Sequence, residues 1–225
     1  TWTNCNASTL LAGKHKMKRW LLFLLAGCTT TVPDVGPIPG ERVVVVATAA
    51  DDFSTGALEV VSLDTQRVSG PITAVSGDPV VTYLEPHIAQ INRLGTDTIR
   101  LYDPNTWGAP LLEFSVGSGA NPHAVIACND ELWASLYGRP YIGRYMDGER
   151  VGEIDLSAFA DDDGIPEASD MILIGDDGYV VLPRLNRNDG WTADPNGRVV
   201  HLSCTDKSIV DVWDVGPNPR LSASG

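Results

Sequence analysis

From residue 42 onward the chain alternates apolar and polar positions in short runs, each closed by Gly, Pro, Asn or Asp. No run sustains the 3.6-residue period of an amphipathic helix. The alternation, together with enrichment in Val, Ile, Leu and Tyr, predicts β-strands. Strands are expected at 42–48, 57–64, 71–75, 80–84, 87–94, 98–102 and 111–116. Further strands follow at 123–128, 131–136, 141–145, 151–156, 171–174, 179–182, 198–204 and 209–215. The gaps are hairpin-sized and carry turn residues, as in Asn129-Asp130, Gly138-Arg139-Pro140 and Asp147-Gly148.

A longer period overlies the strands. Gly77-Asp78-Pro79, Ala120-Asn121-Pro122, Gly164-Ile165-Pro166 and Pro217-Asn218-Pro219 recur at equivalent points, with proline spacings of 43, 44 and 53. A repeat of this length holding four antiparallel strands predicts the blade of a β-propeller. The expected fold is therefore all-β: a propeller of four-stranded antiparallel blades, about four of them over residues 42–225. A single β-sandwich with regular strand spacing is the competing architecture. The first repeat shows only three strands, as if its innermost strand were supplied from elsewhere. Four blades is the lower limit of the architecture, so a fragment of a larger propeller is expected. A closed four-bladed ring is the alternative.

The segment before residue 42 has a different character. Residues 1–27 carry Lys14, Lys16, Lys18 and Arg19 and no acid. An uncharged run, Trp20 to Gly27, follows the basic stretch and is far shorter than the ~20 residues that span a bilayer. A basic region, a short apolar region and small residues at a cleavage point make an export signal. Leu25-Ala26-Gly27-Cys28 resembles the bacterial lipobox, which implies lipidation of Cys28. On that basis residues 1–16 are a non-native upstream segment, 17–28 a lipoprotein signal and 29–41 a Pro-, Gly- and Thr-rich flexible tether. The implied location is the bacterial envelope, lipid-anchored. Thr29 in place of Asp favours the outer membrane or a periplasm-facing position.

Composition sharpens this. Of 225 residues, 43% are hydrophobic and 20% charged, enough apolar content for a packed core. The formal net charge is −13. Without the basic leader, 12 basic residues face 29 acidic ones, a net of −17. Such a surface excludes electrostatic binding to nucleic acid. The membrane is expected as a partner only through the lipid anchor. Cys128 and Cys204 are the two cysteines of the predicted strands, and a disulfide or two separate thiols both suit the sequence.

Gly117-Ser118-Gly119-Ala120-Asn121-Pro122-His123-Ala124-Val125 resembles the inter-blade stretch of YVTN-type propeller repeat proteins. Asp130 to Ser135, Tyr141 to Asp147 and Val151 to Ile154 fall where that repeat has its next strands. The YVTN tetrapeptide itself is absent. The resemblance implies export and a propeller architecture, and related propellers include lactonases and quinoprotein-like enzymes.

In a propeller the blade-to-blade loops and the second-to-third-strand loops open on one face. Three such loops stand out. One holds Asn121 and His123. Another is the Asp161-Asp162-Asp163-Gly164 turn. The third is a polar insertion, residues 183–196, which accounts for the spacing of 53. Loops on a rigid scaffold are the usual seat of binding residues. The candidate ligand-binding set is Asn121, His123, Arg184, Asn186, Arg187, Asp189 and Trp191. The arginines suit a carboxylate or phosphate, and Trp191 suits a ring face. The acid triplet lacks the alternate spacing of a calcium loop and is expected to be a solvated turn. His87, His123 and His201 lack zinc spacing, and His123 is expected in a hydrogen-bonded structural role. No phosphate-loop, dinucleotide or nucleophile-elbow motif occurs. Neither a catalytic residue, a metal nor a cofactor is assigned. The expected function is a binding or scaffolding module for a protein, peptide or glycan. The alternative is a lactonase- or quinoprotein-type enzyme using His123, Arg184 and acidic loop residues.

Overall fold

The computed structural model describes residues 42–222. Cys28, the segments 1–16, 17–28 and 29–41, and the last three residues lie outside the described part. The first sheet contains β1 (Val43–Ala49), β2 (Gly56–Ser62) and β3 (Val68–Val75). The second contains β4 (Pro79–Leu84), β5 (His87–Asn92), β6 (Thr98–Tyr102) and β7 (Leu112–Ser115). The third contains β8 (Pro122–Cys128), β9 (Glu131–Leu136), β10 (Tyr141–Met146) and β11 (Glu149–Asp155). The fourth contains β12 (Met171–Ile174), β13 (Asp177–Leu182), β16 (Gly197–Ser203) and β17 (Ser208–Val215). The residue 183–196 insertion adds a small hairpin, β14 (Leu185–Asn186) with β15 (Thr192–Ala193). Within each large sheet the strands lie in chain order and pair antiparallel.

The sheets stack face on face, which explains why strands of the middle sheets are buried on both sides. In β5, Ile88 points into a core with Leu58 and Val60 of the first sheet. Its neighbour Ala89 points the other way, with Ile91 and Ile99, onto Val125, Ala134 and Leu136 of the third sheet. Ile126, Trp133 and Ile142 of the third sheet then pack on Val180, Val200 and Leu202 of the fourth. The two-residue strand period thus serves two successive interfaces. The leading strands β1, β4, β8 and β12 are neighbours in succession, gathered along one line. This is the expected blade arrangement, with three strands in the first sheet.

At the end bearing the β8–β9 and β16–β17 turns, the third and fourth sheets are clamped. Cys128 and Cys204 form a disulfide, with Cα atoms 5.1 Å apart, so the pairing left open by the sequence is settled as a bridge. Beside it, Lys207 Nζ and Arg144 Nε donate to the buried Glu131 carboxylate at 2.6 and 2.8 Å. The Trp133 indole donates to it at 3.0 Å. The Arg144 hydrogen bond above all holds Glu131 down at a pKa of about 2, against the desolvation that opposes it.

Candidate functional site

The opposite end carries the loops β5–β6, β7–β8 and β9–β10 and the insertion. Asp97, buried in the first of these, accepts hydrogen bonds from the backbone N–H of Gly119 at 2.7 Å and of Asn121 at 2.8 Å. It thereby fixes the β7–β8 loop against the second sheet. The β9–β10 turn is fastened to the same loop. Tyr137 N–H donates to Asn121 O, and Gly138 N–H donates to Ala120 O. Arg139 adds Nη bonds to the Ser118 and Gly119 carbonyls. Gly138 has to be glycine here, because a Cβ would lie 2.2 Å from Gly119 O.

The insertion is built by local polar bonds. Asn186 Oδ1 accepts from Asn188 N–H, and Asn186 O accepts from Trp191 N–H. Gly190 and Trp191 both adopt positive φ, 61° and 65°, which turns the chain sharply and presents the Trp191 ring. Arg184 is a staple. Its Nη1 donates to Asn196 O at 2.8 Å, its Nη2 to Ala160 O, and it pairs with Asp194. Arg187 faces inward. Its Nε donates to Glu167 Oε1 at 3.0 Å, its Nη2 to Tyr137 O, and its own N–H to Asp163 Oδ2.

Glu167 is completely buried and holds the insertion by accepting from Leu185 N–H as well. Burial pushes its pKa up to about 7, with the Asp163 and Asp161 charges adding to the rise and the Leu185 and Arg187 contacts opposing it. Burial also raises Asp161. Asp163 is held low by the Arg187 and Ile165 N–H groups, although burial works against this. The acid triplet is therefore only partly the solvated turn expected. Asp162 is exposed, but the Asp163 side chain is 4% exposed and engaged by Arg187.

Three of the seven candidates meet. Asn121, Arg187 and Trp191 line a cleft of about 380 Å³ together with Leu94, Asp97 and Tyr137. Its walls come from the second, third and fourth sheets. His123 lies beside it, stacked on Tyr137 with ring centres 4.4 Å apart. No hydrogen bond from its ring to another described residue is formed, so stacking replaces the hydrogen-bonded role expected. Burial, with the Arg93 charge, lowers its pKa to about 4. Tyr137 in turn faces Trp191, and the Arg187 guanidinium lies near both rings. Arg184, Asn186 and Asp189 instead line a separate polar pocket of about 260 Å³ with Asp161, Asp162 and Asp194. Asn121, His123, Arg184 and Asn186 thus do not converge on one reacting centre. Among the described residues no group of three His, Cys, Asp or Glu could hold a metal ion.

Sequence reasoning missed Asp97, Tyr137 and Glu167. Tyr137 carried a signal, an aromatic at the mouth of the Gly138-Arg139-Pro140 turn. The acids carried none, since a loop acid looks alike whether solvated or buried.

Several solved structures resemble this chain in shape. The β-propeller domain of Cps50 (Swd1) from Myceliophteria thermophila aligns over 79% of this chain and 59% of its own, at 9% identity and a TM-score of 0.51. The fold is a β-propeller. The hydrazine synthase of Kuenenia stuttgartiensis aligns over 76% of this chain and 48% of its own, at 15% identity and a TM-score of 0.52. The WD40 β-propeller domain of Doa1 aligns at 5% identity with a TM-score of 0.49, over 76% of this chain and 54% of its own. This propeller chain therefore spans about half the length of these neighbours. No protein-family model and no curated protein matches the sequence.

Proposed function

We propose that this chain is a lipid-anchored β-propeller of the bacterial cell envelope, related to the YVTN-type repeat proteins, that binds a protein, peptide or glycan through its loop face. One observation carries the binding reading: loops of three separate sheets build a single cleft around an exposed tryptophan. Trp191 is 52% exposed and held in a left-handed backbone conformation. Large exposed aromatics at a rigid, concave position mark recognition surfaces more often than solvated ones. The scatter of Asn121, His123, Arg184 and Asn186 favours binding over chemistry at the channel. Export and anchoring are supported by the residue 17–28 pattern, and export also by the Cys128–Cys204 disulfide, which suits an oxidising compartment.

The test has two arms. Cells fed labelled palmitate incorporate label into the wild-type chain and not into Cys28→Ser; label in the variant overturns the anchor. The full chain is then screened against arrayed envelope peptides and glycans. Trp191→Ala lowers retention of the recognised class at least tenfold with an unchanged circular dichroism spectrum. Unchanged retention overturns the loop-face reading.

A further inference from the structure

We propose that the loop-face cleft recognises a carboxylated sugar ring, a uronate unit of an acidic glycan. This rests on the binding reading above and names the ligand class within it.

Four unpartnered polar groups of the cleft residues can donate. Arg187 engages Glu167 through Nε and Tyr137 O through Nη2, which leaves Nη1 without a hydrogen bond among the described residues. Asn121 Oδ1 accepts from Leu94 N–H at 3.2 Å, which leaves the Nδ2 amide hydrogens without a partner among the described residues. The Tyr137 hydroxyl and the Trp191 indole N–H are likewise unbonded among them. Several acceptors are occupied, whereas Leu94 O and Gly95 O have no hydrogen bond among the described residues. Both Asp97 carboxylate oxygens take backbone N–H groups. Tyr137 O takes Arg187, Asn121 O takes Tyr137 N–H, and Gly119 O takes Arg139. Arg139 itself bonds only to carbonyls and forms no ion pair among the described residues. A cleft that offers these donors and one free guanidinium nitrogen suits a ligand presenting acceptors and negative charge.

The apolar half of the recognition is the exposed Trp191 ring, backed by Tyr137. Trp191 and Tyr137 lie with ring centres 6.4 Å apart and planes inclined by 29°. The exposed indole face takes the C–H face of a pyranose or an aromatic ring. The ring and carboxylate oxygens of a uronate accept from the available donors, and its hydroxyls donate to solvent or to the free carbonyls. The volume, about 380 Å³, lies at the small end of ligand sites and suits a compact ring. The carboxylate is placed on Arg187 Nη1 and the ring on Trp191.

Isothermal titration of the full chain tests this. The probes are trigalacturonate, a hyaluronan tetrasaccharide, the methyl ester of trigalacturonate, indole-3-acetate and a short peptide with a free carboxyl terminus. At least one uronate binds, and where trigalacturonate binds its ester is at least tenfold weaker. Trp191→Ala and Arg187→Lys each weaken uronate binding at least tenfold. Should Arg187→Lys fail to fold, Trp191→Ala and the ester comparison decide. An ester equal to the acid overturns carboxylate recognition. Binding of only indole-3-acetate or the peptide overturns the sugar class and leaves the cleft as a binding site. If no probe binds, the uronate proposal falls. The array screen with Trp191→Ala then decides separately whether the loop face binds anything.

Discussion

Glu167 and Glu131 are buried carboxylates pushed in opposite directions, and stability should record both. Glu167 titrates near 7 in the folded chain against about 4.5 unfolded, so the native state holds the extra proton between those values. Its contribution is complete below about pH 4.5 and is lost as pH rises through 7, by roughly 3 kcal/mol on the scale of 1.36 kcal/mol per unit. Glu131, near 2 when folded, contributes stability above about pH 4.5 that is lost as pH falls toward 2. Thermal unfolding at pH 5, 6 and 7.5 should therefore show a decline that Glu167→Gln flattens. A decline of equal slope in the variant would contradict the assignment. Glu131→Ala leaves Arg144 and Lys207 facing an empty site and is expected to cost about 3–5 kcal/mol in denaturant melts. Gly138→Ala drives a methyl group against Gly119 O, so it should shift the β7–β8 loop, lower stability by about 1–3 kcal/mol and weaken cleft binding. At this scale the sequence reveals Arg187 and Trp191, which stand out in a long polar insertion, and Asn121, which sits in one of the recurring proline turns. It conceals Asp97 and Glu167, whose importance lies in burial and in the backbone N–H groups they meet.

The strands are legible as short runs rich in Val, Ile and Leu between turn residues, and in the middle sheets burial of both faces makes those runs nearly continuous. The extra length between Pro166 and Pro219 likewise announces the insertion. Its internal form is not legible. The β14–β15 hairpin depends on the Asn186 turn and on Arg184 reaching Ala160 and Asn196. The same limit applies to the cysteines, which lie 76 positions apart and meet only because β8 and β16 belong to adjacent sheets that end on the same side. That bridge closes a long loop, so the paired Cys128→Ala, Cys204→Ala variant should lose about 2–5 kcal/mol. Reducing agent should lower the melting temperature of the wild type and leave the paired variant unmoved. Equal melting temperatures for wild type and variant under oxidising conditions would contradict the clamp.

For the molecule as a whole, four stacked sheets place the strand-connecting loops at two ends with different characters. One end is locked by the disulfide and the Glu131 cluster. The other holds the cleft, whose three walls each belong to a different sheet. The proline period foretells this division, because equivalent turns must fall on one face. The central claim, that the loop face is the binding surface, is tested most directly by amide chemical-shift mapping of the full chain with a glycan or peptide retained in the array screen. Shifts are predicted to cluster on Leu94, Gly119, Asn121, Tyr137, Gly138, Arg187 and Trp191. Shifts confined to the far end, around Thr82–Glu85 and Met171–Leu173, would contradict it.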